Sequence, residues 1–481
     1  MRELSSDISE LKSLVYELLS RVEQLECENA LLRAENTQLK SENALLRAEN
    51  AALRAQLDKN SKNSHKPPSS DGYRKQPALP KTSGKKTGGQ LGHTGHTLKQ
   101  VENPDHFVIH HATACSCCQK IFSASDVTNI GQKRQVFDLP EPRLIVTEHQ
   151  QGIIHCCGRA HKGLFPENIT QPVQYGSKIR SLSILLNNDY KMPFEKIEQL
   201  FADIYGCSYN ESTAISHNQV FYDLLAPIET YIKQQIIDSQ VVHFDETGMR
   251  VDKKLHWFHT ASTDLFTYLF VHTKRGKDAL TDSVSILPDF KNWAVHDCWA
   301  SYFDFKDCSH ALCNAHIIRE LQALIENGSL WAEKMKQFLL DLYHKSQKAT
   351  IIVSHKDDWI QKYQDICNIA HKEEPQPVQG KRGKPKNSKG RNLLNRLVAN
   401  QNGILAFAFN VAIPFTNNQA ERDIRCLKTK QKVAMSFRTF EGAKVYARIQ
   451  SCISSLRKHK INVFQAINNI LDYKPINFKV A

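Results

Sequence analysis

The stretch VVHFDETGM, residues 241–249, decides the fold, because it runs from an apolar strand directly into two adjacent carboxylates, Asp245 and Glu246. Ionised acids are costly to hold at the end of a buried strand unless a cation or a metal ion meets them. Side chains alternate between the two faces of a strand, so Asp245 shares a face with Val241 and His243. We therefore predict that Asp245 points into a site shared with other acids, and that Glu246 supports it from the other face.

Strand-like runs continue beyond this stretch. SQVVHFDETG, KLHWFHTAST and LFTYLFVHT are predicted to be three consecutive strands joined by short polar turns. KRGKDALTDSVSIL is predicted to be a helix, and NWAVHDCWASYF supplies a fourth apolar run that leads into Asp297. This order resembles the opening of a ribonuclease-H-like fold, in which the first and fourth strands are neighbours. Asp245 and Asp297 would then lie together, although a fold by itself proves no activity.

A third acid is expected from the helix TNNQAERDIRCLKTKQK, residues 416–432, which Thr416 or Asn417 can cap. At helical spacing, one face of this helix carries an apolar stripe, which consists of Ala420, Ile424 and Leu427. The adjoining polar stripe consists of Glu421, Arg425 and Lys428. Two interpretations fit this helix. Glu421 belongs either to a metal site beside phosphates or to an ordinary i,i+4 ion pair on a solvated face.

Four blocks, HFDETG, VHDCWASYF, HALCNAHIIREL and TNNQAERDIRCLKTKQKVAMSFRT, together resemble the transposases of the insertion-sequence 66 family. The upstream NSKNSHKPPSSDG and GGQLGHTGH resemble the N-terminal linker of that family, so the likeness covers nearly the whole chain. The resemblance implies a DDE-type recombinase with a ribonuclease-H-like core and a divalent metal. Carried over by motif, the catalytic and metal-binding acids are Asp245, Asp297 and Glu421.

Cutting and joining DNA strands suits such a set of acids. Two metal ions about 4 Å apart can activate the attacking oxygen and stabilise the leaving oxygen of a phosphodiester. Carboxylate ligands with positions left for water and phosphate favour Mg²⁺, with Mn²⁺ as a substitute. We predict that Asp245 bridges both ions, that Asp297 completes one coordination shell and that Glu421 completes the other.

Composition and charge are compatible with a DNA-binding protein. The formal net charge is +13 and the pI is about 9.0, which indicates either a polyanionic partner such as double-stranded DNA or solubility alone. The N-terminus lacks the apolar core of a secretory signal, and no run of about 18 apolar residues is present. We expect a cytoplasmic, nucleoid-associated prokaryotic protein that does not contact a membrane. Its 13 cysteines are then reduced thiols or metal ligands.

Residues 1–58 are predicted to form a leucine-zipper coiled coil. Leucine recurs at every seventh residue in the d positions, and the a positions change from aliphatic residues to asparagine; the d positions are Leu25, Leu32, Leu39, Leu46 and Leu53, and the a positions are Ile8, Val15, Val22, Asn29, Asn36, Asn43 and Asn50. We expect a homo-oligomer through this segment; the alternative is one amphipathic helix packed on its own protein. Residues 59–100 are predicted to be a basic flexible linker.

Residues 101–170 are predicted to form a zinc-ribbon-like domain. Cys115 and Cys118 have C-x-x-C spacing, and the later HCCGRAHKG offers Cys156 and Cys157. These four cysteines are the candidate ligands of Zn²⁺, although the second pair is irregular because Ile154 stands where a regular C-x-x-C needs cysteine. The alternative is a relic ribbon that has lost its metal.

Residues 171–236 are predicted to be helical, with helices over KIRSLSILLNNDY, PFEKIEQLFADIYG and NESTAISHNQVFYDLLAPIETYIKQQI. Pro193 suits the start of the second helix, and Gly206 suits its end. Two helices joined by a short glycine turn fit a helix-turn-helix that binds DNA. A helical spacer fits equally well, since the third helix does not start with basic residues.

The full prediction is an α+β multidomain protein with a ribonuclease-H-like catalytic domain over residues 237–435. A helical insertion interrupts it at about 320–415, and a helical tail covers 436–481. The insertion carries the loop EPQPVQGKRGKPKNSKGR, which is either a DNA contact or a solvated linker. Candidate DNA-binding residues are Arg319, Arg422, Arg425, Lys428, Lys430, Lys432 and Arg438.

The sequence thus favours a DNA transposase that binds terminal inverted repeats and catalyses metal-dependent strand cleavage and strand transfer. One alternative is a catalytically silent or domesticated DNA-binding protein that keeps the zipper, the linker and the ribbon. Another is a nuclease that cuts without joining. The resemblance adds accessory proteins of the same element as candidate partners.

Overall fold

The computed structural model describes residues 2–57, 98–347, 355–377 and 386–478. Most of the predicted linker at 59–100 and the centre of the basic loop at 374–391 lie outside the described residues. The chain divides into two compact units; one comprises Met1–Arg74 and Ala315–Asn400, and the other comprises Lys75–Asn314 and Gln401–Ala481. None of the helices in the described ranges combines the length and apolar character needed to span a lipid bilayer.

The first unit contains helix α1, Arg2–Leu57, which covers the predicted zipper. The leucines of its d positions are exposed, as are the neighbouring apolar residues whose side chains are described. An exposed leucine stripe along so long a helix leaves a hydrophobic surface that a partner helix would bury.

Within the second unit, residues 98–170 form a sparsely structured segment. Strands β1, Ile153–Cys156, and β2, Arg159–Lys162, form an antiparallel hairpin with exposed residues on both faces. A bridge between Ala114 and Ile121 closes a small loop further upstream. No buried hydrophobic core forms in this segment, within the part of the chain that the structure describes.

Four helices follow: α2, Ser177–Asn188; α3, Phe194–Tyr205; α4, Glu211–Leu224; and α5, Ala226–Ile237. As predicted, α3 begins after Pro193 and ends at Gly206, whose φ of 59° is a left-handed conformation that glycine adopts readily. The segment that was predicted to form one third helix forms two helices, α4 and α5. Proline in the first turn of α5 lacks the N–H that a continuous helix requires, so the chain breaks at Leu225.

The central sheet has five strands in the order β5-β4-β3-β6-β7. The strands are β3, Val241–Val251; β4, Lys254–Ser262; β5, Thr267–His272; β6, Trp293–His296; and β7, Ser309–Leu312. β3 pairs antiparallel with β4 and parallel with β6. The predicted adjacency of the first and fourth strands is therefore confirmed.

The connection between β5 and β6 departs from the sequence prediction. Only Lys277–Leu280, helix α6, is helical within the segment 274–287. The Asp282 side chain accepts a hydrogen bond from the backbone N–H of Val284 at 3.0 Å, and Ser285 N–H bonds to the Asp282 carbonyl at 2.9 Å. Aspartate and serine compete with the helical backbone in this way, so the predicted helix ends after one turn.

The insertion in the first unit contains α7, Asn314–Ile325; α8, Leu330–Ser346; α9, Lys356–Glu373; and α10, Lys389–Ala399. The Glu373 carboxylate accepts hydrogen bonds from the backbone N–H groups of Leu330 and Trp331. A carboxylate from α9 therefore caps the start of α8, where an anion also complements the helix dipole.

The chain then returns to the second unit as α11, Gln401–Phe409; α12, Asn418–Ala434; α13, Phe440–Lys458; and α14, Val463–Leu471. Val242 and Phe244 of β3 pack in a core with α5, and Met249 and Val251 pack on the opposite face with α12 and α13. The sheet is thus covered on both faces. Helices α13 and α14 also share a core with α2 and α4, which joins the predicted C-terminal tail to the helical region before the sheet.

Candidate active site

Two of the predicted acids lie on neighbouring parallel strands, Asp245 within β3 and Asp297 directly after β6. His243 of β3 is in register with Val295 of β6, and Asp245 and Asp297 each lie two residues further along. The Asp297 carboxylate accepts a hydrogen bond from the backbone N–H of Trp299 at 3.0 Å, which fixes the turn after β6. The parallel pairing of β3 and β6 therefore brings Asp245 and Asp297 close together at the point where β6 ends.

The third acid lies on α12, and this helix is attached to β3 at both ends. Asn417, directly before α12, donates to the Phe244 carbonyl at 2.7 Å and contacts the His243 ring at 2.8 Å. At the other end, Phe437 exchanges backbone hydrogen bonds with Arg250 and Asp252. Asn417 stands at the predicted capping position, but its side chain makes no capping hydrogen bond, because it is used on the strand.

Glu421 therefore lies in the first turn of a helix held against β3, and we call Asp245, Asp297 and Glu421 the acidic pocket. Burial, and next the charges of Glu246, Asp297 and Glu421, together raise the pKa of Asp245 from 3.8 to about 8, against a hydrogen bond from the Glu246 backbone. The charges of Asp297 and Glu421 thus both act on Asp245. A pocket of this kind stabilises a bound cation, because the cation offsets both burial and repulsion.

Unpaired buried atoms at this place support the same conclusion. Within the described residues, neither the Oε1 of Glu421 nor the hydroxyl of Thr260 has a hydrogen-bond partner, although both are buried. Thr260 lies directly opposite Asp245 in the β3–β4 ladder. Buried polar atoms without partners are rare and cost free energy. Carboxylate oxygens are the ligand type that a hard divalent cation such as Mg²⁺ prefers.

Glu246 has a different environment from Asp245. Its Oε1 accepts hydrogen bonds from Arg275, at 2.9 Å to Nε and 2.6 Å to Nη2, and its Oε2 accepts one from the Tyr302 hydroxyl at 2.6 Å. Burial raises the pKa of Glu246, while the bonds from Tyr302 and Arg275 oppose that rise. The two adjacent acids therefore lie on opposite faces, as the alternation predicts, and Glu246 is already paired.

Most of the predicted DNA-binding residues lie on the surface. Arg422, Arg425, Lys428 and Lys432 project from α12, and Arg438 follows it. Burial lowers the pKa of Lys428, and the charge of Asp245 opposes this, so Lys428 lies close enough to Asp245 for the two charges to interact. Arg319 lies on α7 in the other compact unit, where its Nε donates to the Ala315 carbonyl at 3.2 Å.

Lys430 does not fit the predicted DNA-binding role. It is only 7% exposed, and its ammonium group lies 5.6 Å from the centre of the Tyr446 ring. Burial and the nearby charge of Lys191 lower the pKa of Lys430 to about 8. On α12, the neighbouring cations face solvent, whereas Lys430 faces α13. Lys430 is therefore not part of the proposed DNA surface.

The four predicted zinc ligands are not gathered into one site. Cys115 heads a tight turn in which the backbone N–H groups of Cys118 and Cys117 lower the pKa of its thiol. Cys156 and Cys157 lie at the tip of the β1–β2 hairpin with their sulfurs 3.6 Å apart. Among the described residues, no three of these cysteines come within ligand distance of one another. The intervening segment 127–152 has no regular secondary structure and does not hold the two halves together.

Several residues around the acidic pocket could not be identified from sequence patterns. Arg275 follows β5 in a polar turn and looks like an ordinary surface cation. Thr260 looks like a core strand residue, and Asn417 looks like a helix cap. Each acquires its role from a partner far away in the chain, for which the local pattern gives no signal.

The fold is thus a mixed five-stranded sheet with helices on both faces, and it carries Asp245 within β3, Asp297 directly after β6 and Glu421 on α12. The sequence model of the Transposase IS66 family matches residues 172–445, which is more than half of the chain. The chain therefore belongs to the IS66 transposase family. A family of unknown function (DUF6444) matches residues 2–99. A search of curated proteins finds no match to the chain.

Proposed function

We propose that this protein is a DNA transposase that binds the terminal inverted repeats of its element and catalyses metal-dependent strand cleavage and strand transfer. The observation that carries the proposal is the acidic pocket, in which the charges of Asp297 and Glu421 act on Asp245 despite their separation in sequence. Family membership supports the transposase role. The strand order and the helix packed on β3 support a ribonuclease-H-like catalytic core.

The residues of the acidic pocket, Asp245, Asp297 and Glu421, would hold the metal through their carboxylate oxygens. Bound Mg²⁺, or Mn²⁺ in its place, supplies a Lewis acid that activates the attacking oxygen and stabilises the leaving one. The chain itself holds the acids in place, since the N–H of Trp299 orients Asp297 and the attachment of α12 to β3 positions Glu421.

The exposed cations near the pocket form the proposed DNA surface. Arg422, Arg425, Lys428, Lys432 and Arg438 follow α12 away from Glu421. Side chains of this type bind phosphates without reading sequence, so this surface would position the DNA rather than select it. Helices α2–α4 would recognise the inverted repeats, and α3 and α4 of this group form the candidate helix-turn-helix.

The N-terminal regions have supporting roles in this proposal. The leucine stripe of α1 would pair with a second copy and hold two transposon ends in one homo-oligomer. Zn²⁺ binding would join the halves of the segment 101–170, because metal binding often supplies the free energy that folds such small modules. Accessory proteins of the same element are further candidate partners.

A nicking assay on DNA of the element's ends, with Mg²⁺ present, tests the proposal. We expect Asp245→Asn, Asp297→Asn and Glu421→Gln each to reduce cleavage to background while DNA binding is retained. Asp252→Asn is the matched control, because it makes the same change in the exposed turn after β3. Undiminished cleavage by Asp245→Asn would refute the assigned role.

Two further outcomes of the assay separate the alternatives. Wild-type protein that binds the end DNA and never nicks it would support a silent DNA-binding protein. Cleavage without joining of the 3′ ends to target DNA would support a nuclease.

A further inference from the structure

We propose that Tyr302 is a positioning residue for Asp297, and that its hydroxyl group fulfils this role by binding the Glu246 carboxylate. The inference rests on the proposed function, because it assumes that Asp297 is a metal ligand. It gives Glu246 a task different from that of Asp245, its neighbour in β3.

The hydroxyl group of Tyr302 is anchored on β3. Tyr302 lies in the short 3₁₀ helix Ala300–Asp304, which follows Asp297 in the chain, and is only 1% exposed. Its hydroxyl donates a hydrogen bond of 2.6 Å to Oε2 of Glu246, whose side chain is 2% exposed. Burial, and next the charge and the hydrogen bond of Glu246, raise the pKa of Tyr302 well above its ordinary value, so the hydroxyl keeps its proton. Hydrogen bonds to a charged acceptor are the stronger kind, so this bond fixes the Tyr302 side chain.

The Glu246 carboxylate is itself held in place through its other oxygen. Arg275 donates to Oε1 at 2.9 Å from Nε and at 2.6 Å from Nη2. The guanidinium group of Arg275 lies 4.9 Å from the centre of the Trp257 ring and 4.4 Å from that of Trp299. These cation–π contacts favour one orientation of the arginine. Glu246 is therefore a fixed acceptor that keeps Oε2 for Tyr302.

Tyr302 contacts the residues on both sides of Asp297. Its ring stacks on that of His296, with 4.5 Å between the centroids and 25° between the planes. It also meets the Trp299 ring edge to face at 5.7 Å, and its backbone N–H donates to the Trp299 carbonyl at 3.2 Å. Trp299 in turn donates its own N–H to the Asp297 carboxylate at 3.0 Å. A shift of Tyr302 would therefore move the group that orients this carboxylate.

Loss of the Tyr302 hydroxyl has a specific consequence for metal binding. Tyr302→Phe keeps the ring and removes only the bond to Glu246, so the turn after β6 loses its anchor on β3. Mg²⁺ requires near-ideal octahedral geometry, so a displaced Asp297 carboxylate would bind it less tightly. Loss of groups that orient metal ligands typically weakens metal binding by about ten- to a hundredfold.

Calorimetric titration of the full-length chain with Mg²⁺ tests this inference without requiring cleavage. We expect Tyr302→Phe to bind Mg²⁺ about tenfold more weakly than the wild type does. Tyr268→Phe is the matched control, because Tyr268 lies in the same hydrophobic core and its hydroxyl donates to the Val284 carbonyl at 2.8 Å. This control also loses a buried hydrogen bond, but it should keep the wild-type affinity for Mg²⁺. Equal weakening in both variants would overturn the inference, because it would reflect general damage to the core.

The Glu246→Met background identifies the residue through which Tyr302 acts. Methionine is at most a weak hydrogen-bond acceptor, so the Tyr302 hydroxyl already lacks its partner in this background. Adding Tyr302→Phe to Glu246→Met should therefore change the Mg²⁺ affinity by less than about twofold, as expected for two groups that act through one contact. A further loss as large as that of Tyr302→Phe in the wild-type background would show that the hydroxyl acts elsewhere, and would overturn the inference.

Two other outcomes distinguish this inference from the proposed function. Wild-type Mg²⁺ affinity in Tyr302→Phe would overturn the inference alone, because Asp297 would then be oriented without the hydroxyl. A wild-type chain that binds no Mg²⁺ would refute the metal site of the proposed function, and the inference with it.

Discussion

At the scale of single residues, Asp245 and Glu246 are carboxylates on adjacent residues that the fold places in different environments. Glu246 lies against Arg275 and Tyr302, which donate three hydrogen bonds to its carboxylate. Asp245 has a backbone N–H as its hydrogen-bond donor and faces other acids. The alternation of side chains along β3 separates the two groups, and the residues that pack on each face determine their chemistry.

The raised pKa of Asp245 predicts how stability changes with pH. Because this pKa lies at about 8 in the folded chain against an ordinary 3.8, the folded state keeps a proton that the unfolded state has lost between those pH values. The free energy of unfolding of the metal-free protein should fall as pH rises through this window, by at most about 1.4 kcal/mol per pH unit from this group. Denaturant unfolding in EDTA from pH 5 to pH 8 measures the effect.

Asp245→Asn should remove this share of the pH dependence and be more stable than the wild type at pH 8. Asp252→Asn serves as the control, since its exposed carboxylate should leave the wild-type slope unchanged. Parallel slopes for the wild type and Asp245→Asn would show that Asp245 ionises normally in the folded chain.

At the scale of secondary-structure elements, the position of α12 decides whether the acidic pocket exists. Its two ends are attached to β3, and its middle is fixed by Asp423, whose Oδ2 accepts hydrogen bonds from Ser262, Thr267 and Lys458. Lys458 of α13 also donates to the carbonyls of Thr263 and Phe266. This one buried ion pair therefore connects α12, α13 and the β4–β5 hairpin.

Breaking that ion pair should be costly. Lys458→Met leaves the Asp423 carboxylate buried without its cation, and loss of one partner of a buried pair typically costs about 3–5 kcal/mol. Arg457→Met is the matched control on the same helix; its ion pair with Asp189 leaves the arginine half exposed, so its loss should cost less than about 1 kcal/mol. Urea unfolding of the two variants gives the comparison.

The double variant Asp423→Asn/Lys458→Met should recover part of the stability lost in Lys458→Met, because it leaves no uncompensated charge. Equal losses for Lys458→Met and Arg457→Met would show that the buried pair does not hold these elements together.

At the scale of the whole molecule, the proposed assembly depends on α1. Leu45 and Leu46 are neighbours on this helix and are 70% and 55% exposed, but only Leu46 occupies a d position of the heptad. In a coiled coil, the d residue enters the interface while its neighbour stays in solvent. The two leucines therefore provide a matched pair for testing self-association.

Leu46→Glu should lower the molar mass of the full-length protein in light scattering, because a charge at a d position opposes burial of the seam. Leu45→Glu introduces the same charge one residue earlier and should leave the mass unchanged. If both variants keep the wild-type mass, or if the wild type is already a monomer, α1 does not mediate assembly.

The sequence by itself determined the features that depend on local patterns. These features are the strands that carry Asp245 and lead to Asp297, the buried stripe of Ala420, Ile424 and Leu427, and the start and end of α3 at Pro193 and Gly206. Periodicity reports which face of an element is apolar, and burial follows from that. The adjacency of β3 and β6 was expected from the resemblance of the element order to a ribonuclease-H-like fold, and the structure confirms it.

Only the tertiary structure decided which polar groups meet. It paired Glu246 with Arg275, used Asn417 to attach α12 to β3, buried Lys430 against Tyr446 and kept the cysteine pairs at 115–118 and 156–157 from forming one cluster. The physical reason is that the charge, exposure and hydrogen bonding of a polar side chain depend on partners from distant parts of the chain, which its own segment does not specify.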